Sequence, residues 1–441
     1  MASLADSGLR IVPDMPLCQQ DLALDSYQDA FRPYAEEYLA LPDRLPATVL
    51  PWMDRYIHAA LDRLGEPVML LAHYYMGGEI VKLVERYGGH VADSYQLALQ
   101  AVQHPEVKTF VESAVHFMAE AIAILAAPHQ EVWITNPKAG CTMEMLAKDY
   151  MIEPVFDDLR DRYGDDLMVV AYMNTSGRVK ALAGRTGGAV CTSSNAKAVV
   201  RWALARGRKI FFVPDRHLGE VVAGWCGLEP ADLFQWGSGD EGARQTIGDL
   251  PAVARGRLDA TRMILWGSWC GVHTVFEPEH VAYWRARGYR ILVHPECPKP
   301  VVDAADGAGS TRYLWDAVMQ AAPGMRLAVA TEGHFVRNAR EQAALRGVEV
   351  VNLADIPRSE FAGMGCGCAT MSRNDPPHLV AMLDLLAKGT PPDLNRVLPG
   401  DAVNERTGAR DRLPLAEGAA VARDARRALE RMIAITEEKR T

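Results

Sequence analysis

From Val68 to about Leu386 the chain alternates short apolar runs with longer amphipathic segments, and this alternation restricts the fold more than any single motif. Strand and helix in alternation build parallel sheets covered by helices, and such sheets gather functional side chains at the carboxyl ends of their strands. The chemistry-bearing residues fall at those ends. The apolar run Met263 to Trp266 leads through small residues into Cys270 and His273, and the run Val132 to Thr135 leads into Gly140 and Cys141.

One order of events occurs three times: a polar strand end, a Ser or Thr at a helix start, an acidic turn, then a cysteine. In the first unit these are His73-Tyr74-Tyr75, Ser94, the stretch Val115 to Glu120, and Cys141. The second has Asn174-Thr175-Ser176, Ser193, Pro214-Asp215 and Cys270; the third has His294-Pro295-Glu296, Ser310-Thr311, Thr331-Glu332 and Cys368. The expected organisation is a helical N-terminal extension over 1–66, α/β repeats over 67–165, 166–287 and 288–386, and a helical tail over 387–441. In the extension, Trp52, Tyr56 and Ala60 mark an amphipathic helix that packs on the outside. The middle repeat is longest, and its excess is the glycine-rich, polar stretch 228–256, expected as a surface excursion or lid. The charged segment Leu415 to Lys439 is expected as a solvated helix lying on the body.

A formal net charge of −9 and the absence of any basic run argue against nucleic acid as a partner. An anionic ligand must therefore be held locally, by helix N-termini and hydroxyls, against a repulsive overall field. Met1 to Gln20 has no apolar core of a secretory leader, and the most apolar stretch, Ala114 to Ala127, is too short to cross a bilayer, so no membrane partner and a cytoplasmic location are expected. Eight cysteines in 441 residues are too sparse for a disulfide scaffold. In a reducing compartment, isolated cysteines in Gly-rich turns point to metal or catalysis.

Three such units about a common axis would bring one thiol each to a shared centre. Three thiolates suit a 4Fe-4S cluster whose fourth iron lacks a protein ligand and can act as a Lewis acid, whereas a structural zinc site closes with four ligands. Ser94, Ser193, Ser310 and Thr311 stand where backbone N–H groups are unpaired, serving either as ordinary N-caps or as halves of an anion site. His73, Tyr75, Tyr172, Asn174, His294 and Glu296, at the polar strand ends, are candidates for proton transfer.

The motifs A-H-Y-Y (72–75), F-M-A-E (117–120), A-G-C (139–141), N-T-S (174–176), C-T-S-S-N-A (191–196), P-D-R-H-L-G (214–219), W-G-S-W-C-G-V-H (266–273), H-P-E-C (294–297), G-S-T (309–311) and C-A-T-M (368–371) occur in that order. In this order the chain resembles the quinolinate synthases, iron-sulfur enzymes of NAD biosynthesis. The resemblance implies three related three-layer α/β/α domains around a pseudo-threefold axis, with a 4Fe-4S cluster at the centre. Cys141, Cys270 and Cys368 would hold it, one iron remaining free of protein. It also implies condensation of iminoaspartate with dihydroxyacetone phosphate to quinolinate, with loss of phosphate and water, the iminoaspartate coming from an L-aspartate oxidase or dehydrogenase step. Glu296, His294, Tyr75 and Tyr172 are then expected in the catalytic set, with Tyr172 and Asn174 orienting the intermediate. His73, Ser94, Ser193, His273, Ser310 and Thr311 are expected to join Asn174 in binding substrate.

Cys366 stands two residues before Cys368, and side chains at i and i+2 of an extended turn share a face, so geometry leaves both thiols possible. The family's C-x-x-M spacing, met by Cys368 and Met371, selects Cys368. By the resemblance Cys297 is not a cluster ligand, and Cys18 and Cys226 are expected to be packing residues. Two other classes remain: another three-cysteine 4Fe-4S enzyme, of the isoprenoid-diphosphate reductase type, or a cluster-containing redox sensor.

Overall fold

Val68–His73 (β1), His90–Ala92 (β2), Thr109–Ser113 (β3) and Glu131–Ile134 (β4) form a parallel sheet in the order β2-β1-β3-β4. This computed structural model describes residues 21–356, 367–404, 407 and 409–438. The second sheet comprises Leu167–Tyr172 (β5), Ala189–Cys191 (β6), Lys209–Val213 (β7), Leu233–Gln235 (β8) and Met263–Leu265 (β9), in the order β6-β5-β7-β9-β8. The third comprises Arg290–Val293 (β10), Gly307–Ala308 (β11), Arg326–Ala330 (β12) and Glu349–Asn352 (β13), in the order β11-β10-β12-β13. Without β8 the three orders are one: second strand, first, third, fourth.

Helices cover both faces of each sheet, which is why the strands read as continuous apolar runs rather than as alternating ones. In β10, Ile291 and Val293 pack into one core cluster and Leu292 into another, the period-two alternation of a sheet with two buried faces. In β1, Leu70 and Ala72 face one cluster and Met69 and Leu71 the other.

Register makes positions in the three units comparable. Ala72 pairs with Ser113, Ala171 with Val213, and Val293 with Ala330. His73, Tyr172 and His294 are therefore equivalent, as are Tyr75, Asn174 and Glu296. The helix-start positions after β3, β7 and β12 are Val115, Asp215 and Glu332. This corrects the sequence-based alignment of acidic turns: Glu120 lies within the helix His116–Leu125, and the true counterpart of the two acids is a valine.

The stretch 228–256, expected as a surface excursion or lid, is in part built into the second sheet. Its strand β8 pairs in parallel with β9, Phe234 opposite Ile264, and Trp236 beyond it is buried with its backbone N–H donating to Leu265 O at 2.8 Å. Two aromatics alternating about Gln235 supply a strand pattern that the glycine-rich composition masks. The N-terminal helix Pro46–Leu64 buries Val49, Trp52, Met53, Ile57 and Ala60 and packs on the helix Pro376–Ala387. The C-terminal helix Leu415–Glu438 is held more tightly than a solvated helix: Ala425, Ala428, Leu429, Met432 and Ile435 are buried, and it packs on the helix Gly177–Arg185. At Gly184 an added Cβ would lie 1.8 Å from Asp424 O, so only glycine permits this approach. Among the described residues no helix is long and apolar enough to cross a membrane.

Candidate active site and metal centre

The carboxyl ends of all three sheets open on one cavity. His73, Tyr75, Ser94 and Cys141 from the first unit line it, with Tyr172, Asn174, Ser193 and Cys270 from the second and His294, Glu296, Thr311 and Cys368 from the third. Apolar walls come from Val115, Phe117, Met118, Met143, Val272 and Met371. Two expected site residues are not among those lining it. Ser310 caps the helix Thr311–Met319, accepting from Tyr313 N–H at 3.2 Å, and lines a separate cavity with Ser194 and Arg312. A capping hydroxyl turns back onto its own helix, and the next residue, Thr311, faces the centre instead. His273 is buried behind Glu296.

Burial pushes all three thiols up, and in addition the charges of Cys141 and Cys270 oppose one another and each opposes that of Cys368. All three line the same cavity. In each turn the backbone N–H three residues on favours the thiolate: that of Glu144 for Cys141, His273 for Cys270 and Met371 for Cys368. The backbones carrying the thiols are gripped as well. Asp215 caps its helix through Leu218 N–H at 2.7 Å and accepts Cys270 N–H at 3.1 Å. Glu332 caps through Phe335 N–H at 2.9 Å and accepts Cys368 N–H at 2.8 Å. Cys141 follows a different plan: Asn174 of the second unit donates from Nδ2 to its sulfur at 3.7 Å.

Glu296 lies at the middle of a buried polar chain. Tyr172 O–H donates to Oε1, and His273 Nδ1 stands 2.8 Å from Oε2. The other nitrogen of His273 is 3.1 Å from Thr331 Oγ1, which in turn is 3.0 Å from the Tyr75 hydroxyl. Burial opposes charge on Glu296, but the His294 and His273 imidazoles and the Tyr172 hydroxyl outweigh it and hold the carboxyl well below the usual range. Burial and then the Glu296 charge raise Tyr75 and Tyr172 far above an ordinary phenol, so both remain protonated donors. His73 and His294 are lowered to about 3 by burial, and both are neutral at pH 7. Their Nδ1 atoms accept N–H groups from Tyr75 and Glu296 at 3.3 and 3.4 Å, which leaves the proton on Nε2.

Residues 57–397 match the family model described as Quinolinate synthetase A protein. The quinolinate synthase of Corynebacterium glutamicum is 32% identical over 413 residues, 93% of this chain and 94% of the relative. That of Acidobacterium capsulatum is 37% identical over 361 residues, 80% of this chain and 88% of the relative. That of Streptomyces coelicolor is 35% identical over 362 residues, covering 81% and 87%. The chain belongs to the quinolinate synthase family.

An iron-sulfur group, which this family carries, fits the donor set. Three thiols share one cavity, and each has a backbone N–H that stabilises its anionic form. Cys270, His273 and Glu296 also bring one ligand atom each within 4.8 Å of one another, a second grouping able to hold a metal ion. Cys297 is buried against Ala330 O, and Cys226 is half-buried beside Lys197 O. Cys18 and Cys366 lie outside the described residues. The sequence pattern placed Thr331 in the third unit's acidic turn without a role, and the structure makes it the link from Tyr75 to His273. Sequence reading also listed the P-D-R-H-L-G motif without giving Asp215 a task.

Proposed function

We propose that the protein is a working quinolinate synthase, condensing iminoaspartate with dihydroxyacetone phosphate to quinolinate with loss of phosphate and water, in the cytoplasm. The observation that carries this reading is the meeting of three thiols and the Tyr172–Glu296–His273–Thr331–Tyr75 chain on one cavity, in a chain of this family. Cys141, Cys270 and Cys368 would hold a 4Fe-4S cluster, leaving one iron for substrate. That group, when bound, supplies a Lewis acid to a substrate oxygen.

The protein's own residues do the rest. Glu296 is ionised and accepts from Tyr172, which fixes that phenol as a donor beside the substrate, while Tyr75 donates to the departing oxygen. His73 and His294, neutral with Nε2–H outward, donate to substrate carboxylates without acting as acids themselves. The described lining contains neither lysine nor arginine, so phosphate and carboxylates are held by Ser94 and Thr311 at helix starts, by Asn174, and by Ser193, which lies not at a helix start as expected but in the turn before the helix Ala196–Leu204. The apolar walls exclude water, which protects the imine from hydrolysis. Iminoaspartate is supplied by oxidation of L-aspartate, through an oxidase or a dehydrogenase.

Anaerobic reconstitution with iron and sulfide, followed by assay with both substrates, tests this. Quinolinate formation is expected; a loaded cluster without quinolinate would leave the redox sensor as the better reading.

A further inference from the structure

Behind the wall that carries Asn174 lie two buried groups of opposite charge with no part in the chemistry above. Glu120, in the helix His116–Leu125, and Lys180, in the helix Gly177–Arg185, are both fully buried. Glu120 Oε2 accepts Gly177 N–H at 2.6 Å, and its Oε1 accepts Gly400 N–H at 2.7 Å. Lys180 Nζ donates to the Thr175 carbonyl and lies 5.6 Å from the centroid of the Phe117 ring. The pair thus holds the turn after β5 at two backbone groups, one on each side of Ser176. An added Cβ on Gly177 would sit 2.3 Å from Glu120 Oε1, so the carboxylate and the glycine require one another. Asn174, at the head of this turn, reaches the Cys141 sulfur.

Two opposite charges buried in one place contribute little net stability over an apolar replacement, because desolvation offsets their attraction. Burial raises the Glu120 carboxyl to about 7 and lowers the Lys180 ammonium to about 8, and their mutual attraction opposes both shifts. What the pair adds is the fixed position of one turn. Gly400 lies beyond residues 57–397, the stretch that matches the family, so the C-terminal segment is tied to the same carboxylate.

We propose that Glu120 and Lys180 are positioning residues that set Asn174 against Cys141 and the substrate, and that the C-terminal segment is locked to the site through Glu120. The test uses iron-loaded full-length protein carrying Lys180→Met or Glu120→Gln. Amide hydrogen exchange over residues 174–180 is expected to speed up about tenfold or more. Catalytic efficiency should fall about 10- to 100-fold, as for other groups that orient a metal-site residue, and neither change should add fully to the loss in Asn174→Ala. Unchanged exchange over that turn, or losses that add fully to those of Asn174→Ala, would overturn the proposal. Glu120→Gln, which keeps the shape and one acceptor oxygen, carries the test if Lys180→Met does not fold. The kinetic arm rests on the condensing activity proposed above and the exchange arm does not, so an inactive wild type counts against that activity alone.

Discussion

The turns that carry Cys270 and Cys368 are each closed from within their own unit, by Asp215 and Glu332, whereas the Cys141 turn has Val115 at the equivalent position and receives Asn174 from its neighbour. A threefold order of residues is thus served by supports that are not threefold. Where a unit owns its acid, the cysteine backbone is fixed by a helix cap that the same unit builds. Where it does not, the cysteine is set by contact between units, and the buried pair Glu120–Lys180 stands behind that contact. Misalignment of the first two units should therefore be felt at Cys141 first.

The largest effect comes from the thiols themselves. Serine at 141, 270 or 368 should reduce bound iron and sulfide to near background, while Cys366→Ser should leave both near wild type; metal analysis of anaerobically purified protein distinguishes them. The opposite pattern at 366 and 368 would shift the third unit's register by two residues and with it the role of Met371.

Next come the two acids. Asp215→Asn and Glu332→Gln each weaken a buried acceptor of a cysteine N–H, at a cost of about 1 to 3 kcal/mol of stability. Iron loss to a chelator should be faster in both. Val115→Ala should cost packing only and leave iron retention unchanged; equal iron loss in all three variants would dissolve the contrast between the turns.

Acid titration sharpens the comparison in another direction, because the first and third units end their central strand in His73 and His294 and the second in Tyr172. Both imidazoles have folded values of about 3, below the unfolded value of 6.5. Between those limits the unfolded chain binds more protons, so the stability they contribute is present above pH 6.5 and is lost as pH falls toward 3. The slope is about 1.4 kcal/mol per pH unit for each histidine. Urea unfolding of the metal-free protein across this range should show it, and His73→Gln or His294→Gln should flatten the dependence.

The smallest effect separates two neighbours. Ser310→Ala should cost about 1 kcal/mol of stability as a lost N-cap with KM unchanged, while Thr311→Ala should raise KM with little change in melting temperature. A raised KM in Ser310→Ala would return that hydroxyl to the substrate site.

Much of this protein was settled locally. Alternating strands and helices specify parallel sheets, and parallel sheets place strand ends together, so His73, Tyr75, Tyr172, Asn174, His294, Glu296 and the three cysteines could be assembled from their order along the chain. The tertiary structure decided what depends on which group faces which. Ser310 and Thr311 are adjacent in sequence, and only the start of the helix determines that one caps it while the other faces the cavity. Glu120 read as the first unit's acidic turn until strand register set Val115 opposite Asp215 and Glu332. The stretch 228–256 read as a surface excursion or lid because it is glycine-rich and polar, yet Phe234 and Trp236 within it are buried at the edge of the second sheet. The physical reason is common to all three: strand and helix periodicity is carried by neighbours in sequence, whereas the partner of a carboxylate, a hydroxyl or an edge strand is chosen among groups brought near only by the folded chain.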